Sequence, residues 1–130
     1  MIDQINKKIL VVEDDEDFLS ILKMKFASEN ISIITAKDGE EGIVIAEKEK
    51  PDLVITDVLI PKMNGVEMIK KIKEFNKNVL VIFLTNIKEE DYTKDVEELG
   101  ADYLIKADLR INDIVEKVKI KLGLKTIPTI

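Results

Sequence analysis
Five short apolar runs rich in Ile and Val punctuate the chain: residues 8–13 read KILVVE, 32–36 SIITA, 52–57 DLVITD, 78–85 NVLVIFLT and 102–106 DYLIK. Longer stretches of helical period lie between them. After the first run, Phe18, Leu19, Leu22 and Phe26 share one helical face; near the end, Ile111, Ile114, Val115, Val118 and Leu122 do the same. Residues 40–49, 65–75 and 88–99 also suit helices, with Asn64 at an N-cap position and Gly123 at a C-terminal stop. The order βαβαβαβαβα predicts an α/β fold with a parallel sheet. The first, third and fourth runs lack polar alternation, as central strands covered on both faces do. Right-handed crossovers leave few topologies, and five strands favour the doubly wound order 2-1-3-4-5 with helices on both faces.

One feature breaks the apolar pattern. The third run passes straight into a carboxylate, Asp57, before resuming as Val58, Leu59 and Ile60. Burying that charge unpaired would cost several kcal/mol, roughly the effective penalty per buried ion. In a parallel sheet all C-terminal strand ends lie on one edge, where open α/β sheets bind ligands. There the first strand ends at Glu13, Asp14 and Asp15, the third at Asp57, the fourth at Thr85 and the fifth at Lys106, whereas the second ends at Thr35 and Ala36 and contributes little. Carboxylates, a hydroxyl and an ammonium are therefore expected in one shallow pocket. Several carboxylates that close raise one another's pKa unless a counter-charge is present. A hard divalent cation such as Mg²⁺, held by carboxylate and phosphate oxygen, would supply it. Beside it Asp57 could act as a nucleophile toward phosphorus, with Thr85 and Lys106 binding phosphoryl oxygens.

Each residue also has an ordinary reading: the acidic run as a solvated helix start, Thr85 as a cap, Lys106 as a solvated side chain, Asp57 as a turn residue. Their coincidence at adjacent strand ends favours the shared site. Composition narrows the classes. The 130 residues, 45% hydrophobic and 35% charged, suit one globular domain, assigned to residues 1–123 with a tail at 124–130. A formal net charge of -6 argues against a nucleic acid partner. With no Cys and no His, thiolate or imidazole chemistry is excluded. The N-terminus carries neither a signal peptide nor a span, so a cytoplasmic protein without membrane insertion is expected.

The motifs ILVVEDDEDFL, PDLVITDVLIPKMNGVEMI, VIFLT and GADYLIKA, in this order, resemble the receiver domains of two-component response regulators, over essentially the whole chain. The resemblance implies a flavodoxin-like fold. It also implies that Asp57 accepts a phosphoryl group from the phosphohistidine of a sensor histidine kinase or phosphotransfer protein. By the same matching, Glu13 and Asp14 are the acidic pair serving Mg²⁺, with Asp14, Asp57 and the main-chain carbonyl of Leu59 as direct ligands and Asp15 a bystander. Thr85 and Tyr103 match the switch residues, and Lys106 the ammonium that pairs with the phosphoryl group. The chain departs from the family pattern at Ala107, where a proline in a cis peptide is usual, in a Gly100–Tyr103 segment one residue shorter, and at Asn86, where a small residue is usual. A trans Lys106–Ala107 peptide is expected, because a cis bond before a non-proline residue costs about 2.5–4 kcal/mol.

Leu59 and Ile87 fall at the two positions that flank the path of a hydrolytic water in the family. Neither can hydrogen-bond water, so slow self-dephosphorylation is expected. Residues 88–99 offer only Tyr92, Val96 and Leu99 to the core, so this segment should be weakly held and shift easily, and phosphorylation is expected to shift the face made by the fourth helix, fifth strand and fifth helix and so control binding of an unknown downstream protein target. The length suggests a stand-alone regulator or phosphorelay intermediate, catalysing only its own phosphorylation and dephosphorylation. Two other readings are a degenerate receiver that binds partners without phosphorylation and an aspartyl-phosphate phosphohydrolase, for which Asp15 and Asp17 supply only part of a D-x-D-x-T/V signature. A flavodoxin-like cofactor binder is disfavoured, since the acidic first loop would repel a phosphate.

Overall fold
The computed structural model describes residues 7–85 and 90–124. Strands β1 (Ile9–Val12), β2 (Ile33–Ala36), β3 (Leu53–Thr56), β4 (Leu80–Thr85) and β5 (Asp102–Ile105) alternate with helices α1 (Glu16–Ser28), α2 (Gly39–Glu49), α3 (Gly65–Phe75), α4 (Glu90–Glu98) and α5 (Ile111–Lys121). All strand pairs are parallel and the order is β2-β1-β3-β4-β5, as the pattern of apolar runs predicts. Every residue of β1 and β3 is buried, whereas every residue of the edge strand β5 is only partly so.

Alternate strand residues serve two cores. Leu10, Val12, Val54, Val81 and Phe83 face α2, α3 and α4 through Ala46, Met68, Ile69, Ile72 and Val96. On the other side Ile9, Val11, Ile55, Ile82 and Leu84 meet Leu19, Leu22 and Phe26 of α1 and Ile114, Val115 and Val118 of α5. Period two in the strands and the helical faces thus meet in the way the sequence pattern requires.

Capping explains where the helices begin and end. Asp15, Asp38 and Asn64 precede α1, α2 and α3, and their side chains accept from the backbone N–H groups of Phe18 (3.1 Å), Glu41 (2.9 Å) and Val66 (2.7 Å). Gly123 ends α5 with a positive φ of 71°, and the Leu124 N–H returns to the Lys119 carbonyl at 2.8 Å. The fourth helix runs through Glu90–Glu98 of the expected 88–99 span, and residues 86–89 lie outside the described residues. Of its expected core residues, Val96 is buried and Leu99 packs against the same core; the side chain of Tyr92 lies outside the described residues. No helix among the described residues is long and apolar enough to cross a membrane.

Candidate functional site
Strand register builds the site. Val12 aligns with Thr56, Thr56 with Phe83 and Phe83 with Tyr103. The residues just past those positions, Glu13 and Asp57, therefore emerge side by side at the C-terminal edge, and Lys106 follows β5 onto the same edge. The Lys106 ammonium lies 2.6 Å from Glu13 Oε2 and 3.5 Å from Asp57 Oδ2. All three side chains are largely withdrawn from solvent, at 11%, 5% and 13% exposure for Lys106, Glu13 and Asp57. Burial holds the Glu13 carboxyl above its ordinary value, and the hydrogen bond and charge of Lys106 only partly oppose this. The Phe18 ring covers the ammonium, with Nζ 4.4 Å from its centroid.

Asp57 is held from behind. Its Oδ1 accepts from the Leu59 N–H at 3.3 Å, and its main-chain carbonyl accepts from the Thr56 hydroxyl at 2.9 Å. The following loop doubles back: Leu59 and Asn64 form an antiparallel bridge, and the Gly65 N–H donates to the Val58 carbonyl at 2.7 Å. Any Cβ at Gly65 would collide with the Asp57 carbonyl oxygen, so the site needs glycine there. Lys62, at a φ of 73°, pairs with Asp38 and Glu40 at the start of α2 and ties the loop down on its far side.

The remaining expected residues are dispersed around this centre. Thr85 is the last residue of β4, and its side chain lies outside the described residues. Tyr103 is half-buried on β5 against the core that contains Phe83. Leu59 is 50% exposed, and Ile87 lies outside the described residues. The Lys106–Ala107 peptide is trans, since there is no cis peptide among the described residues.

One expectation needs correcting. The acidic residues do not crowd together: among the described residues no group of three or more Asp, Glu, His or Cys side chains is gathered closely enough to hold a metal, and Asp14 is exposed. The Lys106 ammonium supplies the counter-charge to Glu13 and Asp57. Asp15 is exposed, and its carboxylate caps α1. Sequence reasoning also missed a second duty of Phe18, assigned only to the core face of α1; its place in the first turn beside the acidic run was the available signal.

The donors are nevertheless those Mg²⁺ takes. They are all oxygen, and two of them, Glu13 Oε2 and Asp57 Oδ2, already face a single cation. Mg²⁺ keeps several waters and is usually bound through one or two carboxylates, so a preformed triad is not required and the residues fit.

The family model described as the response regulator receiver domain matches residues 9–119. The chain belongs to that family. This receiver is 37% identical over 115 residues to the alkaline phosphatase synthesis transcriptional regulatory protein PhoP of Bacillus subtilis (strain 168), a match covering 88% of this chain and 48% of that protein. The receiver therefore spans about half the length of that relative. Against sporulation initiation phosphotransferase F of the same organism it is 36% identical over 121 residues, 93% of this chain and 98% of the relative. Among solved structures, a two-component response regulator from Clostridium difficile superposes with a TM-score of 0.82 at 26% identity, covering 91% of the receiver and 97% of that chain.

Proposed function
We propose that this receiver is a phosphoacceptor in a two-component or phosphorelay pathway and that Asp57 takes the phosphoryl group. The observation that carries the reading is the convergence of the Lys106 ammonium on Asp57 Oδ2 and Glu13 Oε2 at the carboxyl edge of the central strands. A carboxylate oxygen of Asp57 bonds to phosphorus while the N–P bond of a phosphohistidine breaks, and the electron pair leaves with the imidazole. Lys106 is placed to neutralise the charge of the incoming phosphoryl oxygens, and the Leu59 N–H holds the carboxylate in orientation. Asp14, Asp57 and the Leu59 carbonyl would hold Mg²⁺, with Glu13 completing the acidic set. When bound, the ion would neutralise charge on the phosphoryl oxygens. Thr85 and Tyr103 act as the switch residues, and the face of α4, β5 and α5 binds the downstream protein.

The donor is a sensor histidine kinase or a phosphotransfer protein. Support for the second comes from the extent of the match to sporulation initiation phosphotransferase F, 98% of whose length is covered. Residues 1–123 act as the receiver and 124–130 as a tail, in the cytoplasm, with no turnover beyond the receiver's own phosphorylation and dephosphorylation. Asp15, which a phosphohydrolase reading would need as a nucleophile, instead spends its carboxylate on the cap of α1.

Acetyl phosphate with Mg²⁺ should add one phosphoryl group, seen by intact-mass spectrometry. Asp57→Ala should abolish the label, and Asp14→Asn should slow it and raise the Mg²⁺ needed for half-maximal rate. Full labelling of Asp57→Ala would overturn the assignment.

A further inference from the structure
We propose that Phe18 is a positioning residue for Lys106: its ring face seats the ammonium between Glu13 and Asp57, in the place where it meets the phosphoryl group. The inference rests on the phosphoacceptor reading for its functional part and on geometry alone for the contact. An ammonium has three N–H donors. Two sides of Lys106 Nζ are taken by Glu13 Oε2 at 2.6 Å and Asp57 Oδ2 at 3.5 Å, and the Phe18 ring lies 4.4 Å away on another. A ring face carries negative potential and attracts a cation most strongly where water is excluded, as it largely is here.

Other features point the same way. Lys106 enters a 3-10 turn at the end of the edge strand β5, followed by the exposed Ala107, so its own backbone offers little to fix a long side chain. Phe18 is firmly placed by contrast. Its N–H is bound by the Asp15 carboxylate at 3.1 Å, and its side chain packs against the core between the sheet and α1 and α5. A ring so anchored bounds the ammonium from one side while the two carboxylates draw it from others. A merely apolar residue would fill the same volume without attracting the charge.

The test separates shape from charge. With ¹³C-labelled lysine, the ε-methylene protons of Lys106 should be shifted upfield by the ring, and Phe18→Leu should return them to an ordinary position. Absence of that shift in the parent, or no change in the variant, overturns the contact whatever Asp57 does. Mono-, di- and trifluorophenylalanine at position 18 keep the shape and progressively drain the ring face. Labelling by acetyl phosphate should slow stepwise across this series, by about two- to tenfold at its end, and the slope should vanish in a Lys106→Met background. A flat series in the parent means that Phe18 only packs, and the proposal falls. Failure of the parent to label at all would strike the phosphoacceptor reading, leaving the resonance shift to decide the contact.

Discussion

Asp57 and Lys106 stand 3.5 Å apart at one edge of the sheet, yet opposite means hold them. Asp57 follows the fully buried central strand β3 and leads into a loop closed by the Leu59–Asn64 bridge and by the contact of Gly65 with the Asp57 carbonyl. Lys106 follows the half-buried edge strand β5, and its head is located by side chains that arrive from β1 and α1. One group is fixed by backbone, the other by charge and a ring. Backbone placement tolerates almost no substitution, whereas placement by charge depends on pH and on which partners are present.

Removing the ammonium should have the largest effect. Lys106→Met leaves Glu13 and Asp57 without their cation, and breaking a buried pair in this way costs about 3–5 kcal/mol, here toward the lower end because Glu13 can take up a proton. Burial already holds the Glu13 carboxyl above its ordinary 4.5, and Lys106 works against that. A carboxyl raised in the folded state binds its proton more tightly folded than unfolded, so stability falls as pH climbs from the unfolded value through the folded one and then levels. Lys106→Met should steepen that fall, with thermal melts near pH 5 recovering part of the loss seen near pH 7.5. Equal losses at both values would show that charge does not hold this side of the site.

Gly65→Ala probes the backbone side. Its Cβ meets the Asp57 carbonyl oxygen, which cannot move without disturbing β3, and overpacking of this kind costs about 1–3 kcal/mol. Urea unfolding should register the loss with no dependence on pH, and labelling should slow with it. A variant as stable as the parent would break the contrast.

The smallest effect concerns the lifetime of the phosphorylated form. Leu59→Asn combined with Ile87→Glu should shorten it several-fold at fixed Mg²⁺, read as loss of phosphoprotein on a phosphate-affinity gel, by giving an attacking water polar partners. Decay no faster than the parent's would mean that the rate is set elsewhere, at the less firmly held lysine for example.

Much of the fold was legible because it rests on local pattern. Runs without polar alternation marked β1, β3 and β4 as central, and Asn64 and Gly123 marked helix ends through backbone chemistry that one residue carries alone. The strand ends likewise brought Glu13, Asp57 and Lys106 to one edge. What could not be read was which side chain would take which partner. The Glu13–Lys106 pair joins residues 93 apart, and its preference over Asp57, 2.6 Å against 3.5 Å, is a matter of rotamers. The exposure of Asp14 and the ring over Lys106 are of the same kind. The approach of Gly65 to the Asp57 carbonyl depends on how the intervening loop folds back, which spacing alone does not reveal.

Glu13, Asp14 and Asp15 are chemically near-identical neighbours, but their surroundings make them three different components. The first is buried and bound to an ammonium, the second is open to solvent, and the third is turned back on its own backbone as the start of α1. Charge counting along the chain would score them as interchangeable. Their order is in fact a small piece of wiring: moving the acidic run by one residue would leave net charge untouched yet disconnect the ammonium from the first position and the helix from the third.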